Sequence, residues 1–135
     1  MLEKYKPKDG GYHPFLIRDG WQVAQLNYSA EQDIDQIKKI DKHHQTDEVF
    51  VLLKGKAVLI LAEIKEGSPI FEVELMQPAV TYNIPQNCWH NIAMEEGSEV
   101  LIVEKSNTHL KDFSYQDLSV EKIAELKRVV KELLN

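Results

Sequence analysis

Residues 41–55 read DKHHQTDEVFVLLKG, with two adjacent histidines and two acidic residues directly ahead of an apolar run that ends in a glycine. A continuous apolar run of this length is typical of a strand that is buried on both faces. His43, His44 and Glu48 carry imidazole and carboxylate groups, which are common ligands of Zn, Fe, Mn, Co and Ni. The stretch therefore predicts a buried strand with metal-binding side chains at its N-terminal end.

A second polar cluster lies in residues 83–93, NIPQNCWHNIA, where His90 follows Pro85 by five residues. His90 comes 42 residues after Glu48, which leaves room for about four strands. A closed antiparallel barrel would return His90 to the side of the first cluster. We therefore predict a divalent-metal site made by His90, Glu48 and one of His43 or His44.

Short segments rich in β-branched and aromatic residues recur along the chain, and Gly, Pro and Asn separate them. Many short strands at regular spacing predict an all-β sandwich or barrel. Residues 29–42 are polar and fit either an edge strand or a loop. The predicted strands are residues 15–19, 21–28, 48–54, 56–64, 70–76, 80–84, 90–94 and 99–105.

The last segment changes from strand to helix periodicity. Apolar residues recur at helical spacing over residues 119–134, and Ser119 is suited to cap the first turn. We predict a C-terminal α-helix that packs on the outside of the sheet.

Residues 1–14 contain two Pro and two Gly residues, which predict an irregular arm. The predicted organisation is one domain over residues 1–135, with the barrel in 15–105.

Composition narrows the class of protein and its partners. Apolar residues make up 43% of the 135 residues, and 22 acidic against 16 basic residues give a formal net charge of −6. The acidic balance disfavours nucleic acid as a partner. We find no apolar run long enough to span a membrane and no signal-peptide pattern, and a single cysteine gives no sign of an oxidising compartment. These features predict a cytoplasmic protein without a membrane partner.

The two clusters together resemble the paired motifs of the cupin superfamily. In the first cupin motif, two histidines one residue apart precede a Glu by three or four residues, and a Gly follows after six, as Gly55 follows Glu48 here. The second motif is Pro-x-Gly-x-x-His, which Pro85 and His90 match while Asn87 replaces the Gly. The resemblance covers roughly residues 40–105. It implies an antiparallel double-stranded β-helix, the cupin jelly-roll barrel.

The first motif fits in two ways. With the four-residue spacing, His43 is the second histidine of the motif and Asp41 takes the first position. With the three-residue spacing, His44 is the second and Lys42 takes the first position. The phrase TDEVF favours the longer spacing. In the shorter one, Lys42 would place its ammonium where the metal would lie, pair with Glu48 and leave the barrel without metal.

The resemblance implies fold more specifically than function, because cupins include isomerases, dioxygenases, lyases, regulators and storage proteins. The predicted function is a barrel that binds a divalent metal and acts on a small polar molecule. The alternatives are a small-molecule-binding module without metal, or a structural dimer, with Lys42 in place of the metal. The family also implies a homodimer. Neither a catalytic residue nor a reaction type is predicted.

Four further residues have simpler interpretations. Trp89 should face away from His90 by strand alternation and belong to a core or an interface. Cys88 is interpreted as a buried, unreactive thiol. His13 and His109 lie in polar, loop-like stretches and are predicted to be surface residues.

Overall fold

Ten β-strands and two α-helices make up the fold in the computed structural model, which describes residues 1–135. A short 3-10 turn at Ala30–Gln32 precedes the third strand. The helices are α1 (Thr108–Lys111) and α2 (Val120–Leu134). The strands are β1 (Gly11–Arg18), β2 (Trp21–Asn27), β3 (Lys39–Lys42), β4 (Glu48–Lys54), β5 (Ala57–Lys65), β6 (Ser68–Leu75), β7 (Thr81–Ile84), β8 (Trp89–Met94), β9 (Glu99–Glu104) and β10 (Ser114–Asp117).

The strands form two five-stranded sheets whose neighbouring strands are antiparallel. The first sheet has the order β1-β2-β9-β4-β7, and the second has the order β10-β3-β8-β5-β6. Strands that are consecutive in the chain therefore alternate between the sheets at several points, as in a jelly roll. The predicted fold class, an all-β antiparallel jelly-roll barrel with a C-terminal helix, is confirmed.

Two apolar clusters surround the second sheet. The first fills the barrel between the sheets and includes Phe50 and Ile102, which are each 2% exposed. The second lies between the outer face of the second sheet and α2, and it includes Ile60 and Leu126, which are both fully buried. Strand β5 contributes to both clusters because its alternate side chains point to opposite sides. This position explains why its sequence, AVLILA, is apolar on both faces.

The outer face of β4 is more open than the sequence predicts. Its inward residues Phe50 and Leu52 are buried, but Leu53 is 48% exposed. Helix α2 packs on β5 and β6 in the other sheet. The apolar run at β4 is therefore buried on its barrel face and only partly covered on its other face.

Three segments differ from the predicted boundaries. Strand β1 begins at Gly11, so the irregular arm is shorter than residues 1–14. Residues 29–42 contain the 3-10 turn and then β3, which lies between β10 and β8 and is therefore not the edge strand of the first alternative. Strand β10 is not predicted, because its four residues carry no apolar alternation and it forms by pairing with β3. Neither helix combines the length and apolar character needed to cross a membrane.

Candidate functional site

A cavity of about 620 Å³ opens between the two sheets of the barrel. Its apolar wall includes Leu26, Phe50, Ile92 and Ile102. Among its polar side chains, one group of acidic and histidine residues from both sheets lies close together. This polar group consists of Asp41, His43, Glu48, His90 and Glu104.

Strand pairing brings these residues together from distant parts of the sequence. Asp41 on β3 lies directly opposite His90 on β8. On the other sheet, Val49 pairs with Val103, and the antiparallel register places Glu48 and Glu104 as the next opposite pair. His43 follows β3 by one residue and reaches Glu48 from the side of the second sheet. The barrel thus joins both sequence clusters, and β9 supplies a further acid.

The Nε2 atoms of His43 and His90 both lie close to the same carboxylate oxygen of Glu48. The Nε2 atom of His90 lies 2.9 Å from Glu48 Oε1, and the Nε2 atom of His43 lies 3.3 Å from it. The Nδ1 atom of His90 lies 2.9 Å from the carbonyl oxygen of Cys88, and that of His43 lies 2.7 Å from the carbonyl oxygen of Asp112. A carbonyl oxygen only accepts hydrogen bonds, so each Nδ1 carries hydrogen and each Nε2 faces the cluster.

Burial and charge shift the pKa values of this cluster strongly. Burial opposes the charged form of both histidines, but the hydrogen bond to Glu48, the nearby carboxylate charges and the backbone hydrogen bonds together outweigh it and raise the pKa of His90 and that of His43, the latter to about 9. Burial would raise the pKa of Glu48, but hydrogen bonds from the two histidines hold it well below its usual range. Burial and the neighbouring Glu48 charge raise the pKa of Glu104 to about 8.

The donor atoms fit the spacing of ligands around a divalent metal. At metal–ligand distances of about 2.0–2.2 Å, adjacent ligand atoms are roughly 3 Å apart. The two separations to Glu48 Oε1 are 2.9 and 3.3 Å, and Asp41 Oδ2 lies 3.9 Å from His90 Nε2. Hydrogen bonding of Nδ1 to a backbone carbonyl is also the usual way to orient a metal-binding imidazole. The residues present therefore fit a metal ion at this position.

Of the four predicted metal-site residues, the structure brings together His43, Glu48 and His90. His44 lies outside the group: its side chain is exposed, and its Nε2 lies 2.7 Å from Ser114 Oγ. The adjacent histidines diverge because His43 follows Asp41 into the barrel while His44 turns toward β10.

The alternative in which Lys42 replaces the metal is wrong. The Lys42 ammonium lies 4.6 Å from the centre of the Trp89 ring, outside the polar cluster. Alternation along β3 turns Lys42 away from the cavity and Asp41 toward it. The longer motif spacing, with Asp41 in the first position, therefore matches the geometry.

Sequence reasoning missed Glu104, Tyr12 and His109. The Tyr12 hydroxyl donates to Glu104 Oε1 at 2.7 Å, and all three residues line the cavity. His109 is thus not the surface residue that the sequence predicts, because α1 folds it back against Tyr12. A signal for Glu104 was present: it shares strand parity with the buried residues Val100 and Ile102.

The interpretations of Trp89 and His13 agree with the structure, whereas Cys88 is half-buried and not fully buried as predicted. Trp89 packs against the cluster beneath α2 and does not line the cavity. Cys88 packs against the barrel core, and burial raises the pKa of its thiol, which makes it less reactive. His13 is hydrogen-bonded to the carbonyl oxygen of Asp9, outside the cavity.

Solved structures with the same fold share little sequence with this chain. A cupin-2 domain containing protein from Shewanella frigidimarina NCIMB 400 is 16% identical, with 74% of this chain and 84% of that one covered, at a TM-score of 0.50. The sugar 3,4-ketoisomerase QdtA from Thermoanaerobacterium thermosaccharolyticum, in complex with TDP, is 18% identical, with 79% and 73% covered, at 0.54. A Streptomyces PAC13 variant with uridine is 12% identical, with 90% and 97% covered, at 0.57. These likenesses show the cupin fold.

Sequence comparison identifies the family. No curated protein matches the chain. A family model described as auxin binding protein matches residues 31–130, which include both histidine clusters and most of the barrel. With its two-sheet jelly roll and a match over well more than half of its length, this chain belongs to the auxin-binding-protein family and has the cupin fold.

Proposed function

We propose that the chain binds one divalent metal ion through Asp41, His43, Glu48 and His90, and that a small polar molecule binds beside it in the cavity. One observation carries the proposal: two imidazole Nε2 atoms converge on a single Glu48 oxygen while their Nδ1 atoms are held by backbone carbonyls. Nitrogen and oxygen donors arranged in this way suit Zn, Fe, Mn, Co and Ni.

The charge balance of the cluster supports a cation. Three carboxylates, Asp41, Glu48 and Glu104, face two imidazoles in a mostly buried space. Without a metal, the negative charges are balanced only if both histidines carry a second proton on Nε2 and Glu104 is protonated. A divalent cation would take the place of those protons and would bind to oxygen and nitrogen atoms that already face one another.

The cavity supports a small-molecule ligand. Its volume of about 620 Å³ lies within the range of about 300–1,000 Å³ that is usual for small-molecule sites. One side is apolar and the other carries the polar cluster, so a ligand with a carbon skeleton and an oxygen-bearing end fits best. Glu31, Lys38 and Lys39 also line the cavity, so it offers charges of both signs to a polar ligand. Similar folds bind TDP in QdtA and uridine in PAC13.

A bound metal would supply Lewis-acid polarisation of a ligand oxygen at its open coordination positions. The chain's own residues would do the rest. Phe50 and Ile102 would exclude water from the apolar side, and the histidines and Glu48 would be held in orientation by their hydrogen bonds. In this arrangement His43, Glu48 and His90 act as ligands and not as independent acid–base groups.

A second candidate is a binding module without metal. It is favoured by the same ion pairs, because doubly protonated His43 and His90 would both donate to Glu48 Oε1. In that case the cavity would bind its ligand through the charged cluster alone. The two candidates differ in metal content, which is directly measurable.

The test uses protein purified without a histidine tag. Metal content by mass spectrometry, followed by calorimetric titration of the metal-free protein with Mn²⁺, Co²⁺, Ni²⁺ and Zn²⁺, should give one site per chain. His90→Ala should lose this site, whereas the control His13→Ala should keep it. Absence of binding for every metal would favour the second candidate. A thermal-shift panel of sugars, organic acids and nucleosides, with and without metal, would then identify the class of ligand.

We also propose that the chain forms a homodimer, as the resemblance implies. Sedimentation at micromolar concentration should give twice the mass of one chain. A species with the mass of one chain would contradict this proposal.

A further inference from the structure

Glu104 is a buried acid that the four-ligand site does not use. It ends β9, is 6% exposed and lines the cavity opposite Glu48. Its Oε1 atom accepts hydrogen bonds from the Tyr12 hydroxyl at 2.7 Å and from Gln22 Nε2 at 3.0 Å. Its Oε2 atom is buried and has no hydrogen-bond partner. One oxygen is thus held firmly and the other is left free.

The surrounding residues hold Glu104 in this orientation. Gln22 is fully buried, and its own Oε1 accepts a hydrogen bond from the Asn107 backbone N–H at 2.7 Å. Because Gln22 is anchored by the backbone, its amide points consistently at Glu104. The Glu104 side chain cannot turn away from Glu48 without losing both donors.

This placement is unfavourable unless something compensates for it. Two ionised carboxylates directly opposite each other on one face of a sheet repel each other, and because burial and the Glu48 charge raise the pKa of Glu104, a proton relieves this repulsion when no metal is bound. A buried carboxylate oxygen without a hydrogen-bond partner is also unfavourable, because nothing compensates for its lost hydration. A cation between the two carboxylates would remove both costs at once. His43 lies at the same place, and one donor atom from each of His43, Glu48 and Glu104 lies within 4.8 Å of the others.

A second set of three possible ligands shares His43 with the set His43, Glu48 and Glu104. In this second set, Asp41, His43 and His90 have donor atoms within 4.8 Å of one another. We propose that Glu104 is a fifth protein ligand of the metal, and that the resulting set of three carboxylates and two imidazoles favours Mn²⁺ relative to Zn²⁺. The inference rests on the proposed metal site. Its chemical basis is that added carboxylate oxygens and higher coordination numbers suit Mn²⁺, whereas Zn²⁺ is satisfied by four ligands.

The test compares Mn²⁺ and Zn²⁺ affinities of the metal-free protein by calorimetric titration. Glu104→Gln should weaken Mn²⁺ binding by at least about tenfold, which is the smallest effect usual for residues that support a metal site. Zn²⁺ binding should weaken less, so the ratio of the two affinities should change. The matched control is Glu99→Gln, which removes a charge from the same strand at its half-buried outer end, where Glu99 pairs with Lys54. The control should leave the ratio unchanged.

A second variant separates ligation from charge. Glu104→Asp keeps the negative charge but shortens the side chain, so it should also weaken Mn²⁺ binding if Glu104 is a ligand. Thermal unfolding of each variant verifies that it is folded. In a crystal structure of the Mn²⁺-loaded protein, a Glu104 oxygen should lie at a bonding distance of about 2.0–2.2 Å.

The outcomes distinguish the inference from the function on which it rests. If the wild-type protein binds neither metal, the proposed metal site is wrong and the inference falls with it. If the wild type binds metal, His90→Ala abolishes binding, and both Glu104 variants keep the wild-type Mn²⁺/Zn²⁺ ratio, only the inference is overturned.

Discussion

The side chain of His43 is held by the backbone of Asp112: its Nδ1 lies 2.7 Å from the Asp112 carbonyl oxygen. The Asp112 carboxylate also accepts the backbone N–H groups of His44 and Gln45, each at 3.0 Å. The segment between β9 and β10 thus fixes the loop between β3 and β4. A residue outside the polar cluster therefore sets the position of one proposed ligand.

Replacing Asp112 should loosen both the loop and the proposed site. Asp112→Ala removes the acceptor of two backbone N–H groups and should lower the free energy of unfolding by about 1–2 kcal/mol, as for the loss of a capping side chain. Metal affinity should fall by up to about 10–100-fold, because the loop that carries His43 is held less firmly, although the main-chain carbonyl at position 112 remains. Denaturant unfolding and calorimetry measure the two effects. The control Asp112→Asn keeps one acceptor oxygen and should show smaller changes, and equal effects of both variants would contradict this explanation.

The two adjacent histidines should behave differently. His43→Ala removes a side chain that faces Glu48 and should weaken metal binding by at least about tenfold. His44→Ala removes only an exposed contact to Ser114 and should leave the affinity nearly unchanged. Titration of both variants with Zn²⁺ measures the difference. Equal losses in the two variants would mean that the loop rearranges on binding.

Metal binding should weaken as the pH falls. Folding raises the pKa of His43 to about 9, so its Nε2 carries a proton at neutral pH in the metal-free state, and folding shifts the pKa of His90 in the same direction. A metal must displace such protons, and each displaced proton weakens the apparent affinity by about tenfold per pH unit below the pKa. The apparent dissociation constant for Zn²⁺ should therefore rise from pH 8 to pH 6. A flat profile would contradict ligation through both histidines.

The metal-free protein should lose stability as the pH rises from about 6.5 to 9. The pKa of His43 rises from 6.5 to about 9 on folding, so its contribution is fully present below 6.5 and is lost as the pH passes through 9. The pKa of Glu104 rises from 4.5 to about 8 on folding, so the stability of the protein also falls as the pH increases from about 4.5 to 8. Melting temperatures in the presence of a chelator should show the decline. His43→Gln should flatten it, whereas His13→Ala should not.

Gly55, which closes the first sequence motif, is needed for steric reasons. Its φ is +84°, and an added Cβ would lie 2.3–2.8 Å from the backbone and side chain of Ser98. Gly55→Ala should therefore destabilise the protein by clearly more than the roughly 1–2 kcal/mol cost of a left-handed conformation. Gly97→Ala is the matched control, since Gly97 has φ +81° but nothing within 4 Å. Denaturant unfolding should rank Gly55→Ala as the more damaging change, and equal losses would exclude the clash.

Local sequence patterns predicted much of the fold. The apolar runs of β4 and β5 and the helical spacing of α2 reflect which faces each element buries, and a single strand or helix encodes this by itself. Strand β10 was missed because its formation depends on pairing with β3 rather than on its own residues. The sequence predicted that both faces of β4 are buried, but its outer face is only partly covered. Helix α2 packs on β5 and β6 of the other sheet, and this packing cannot be read from β4 itself.

The composition of the candidate site was predictable only where its residues form motifs. His43, Glu48 and His90 were predicted because they lie in two recognisable clusters. The choice between His43 and His44 remained open because neighbouring residues point to opposite faces, and only the register decides which of them points inward. Glu104 and Tyr12 lie in no motif, and they join the site through the pairing of β9 with β4 and of β1 with β2.

The sequence by itself determined that the chain forms an all-β barrel with a C-terminal helix, because periodicity and turn residues act locally, and its two histidine motifs predicted that distant segments meet in one site. The tertiary structure decided which histidine turns inward, that Asp41 rather than Lys42 faces the cavity, and that a third acid lies opposite Glu48. These facts depend on strand register, which is set by the packing of the two sheets and cannot be derived from any one segment.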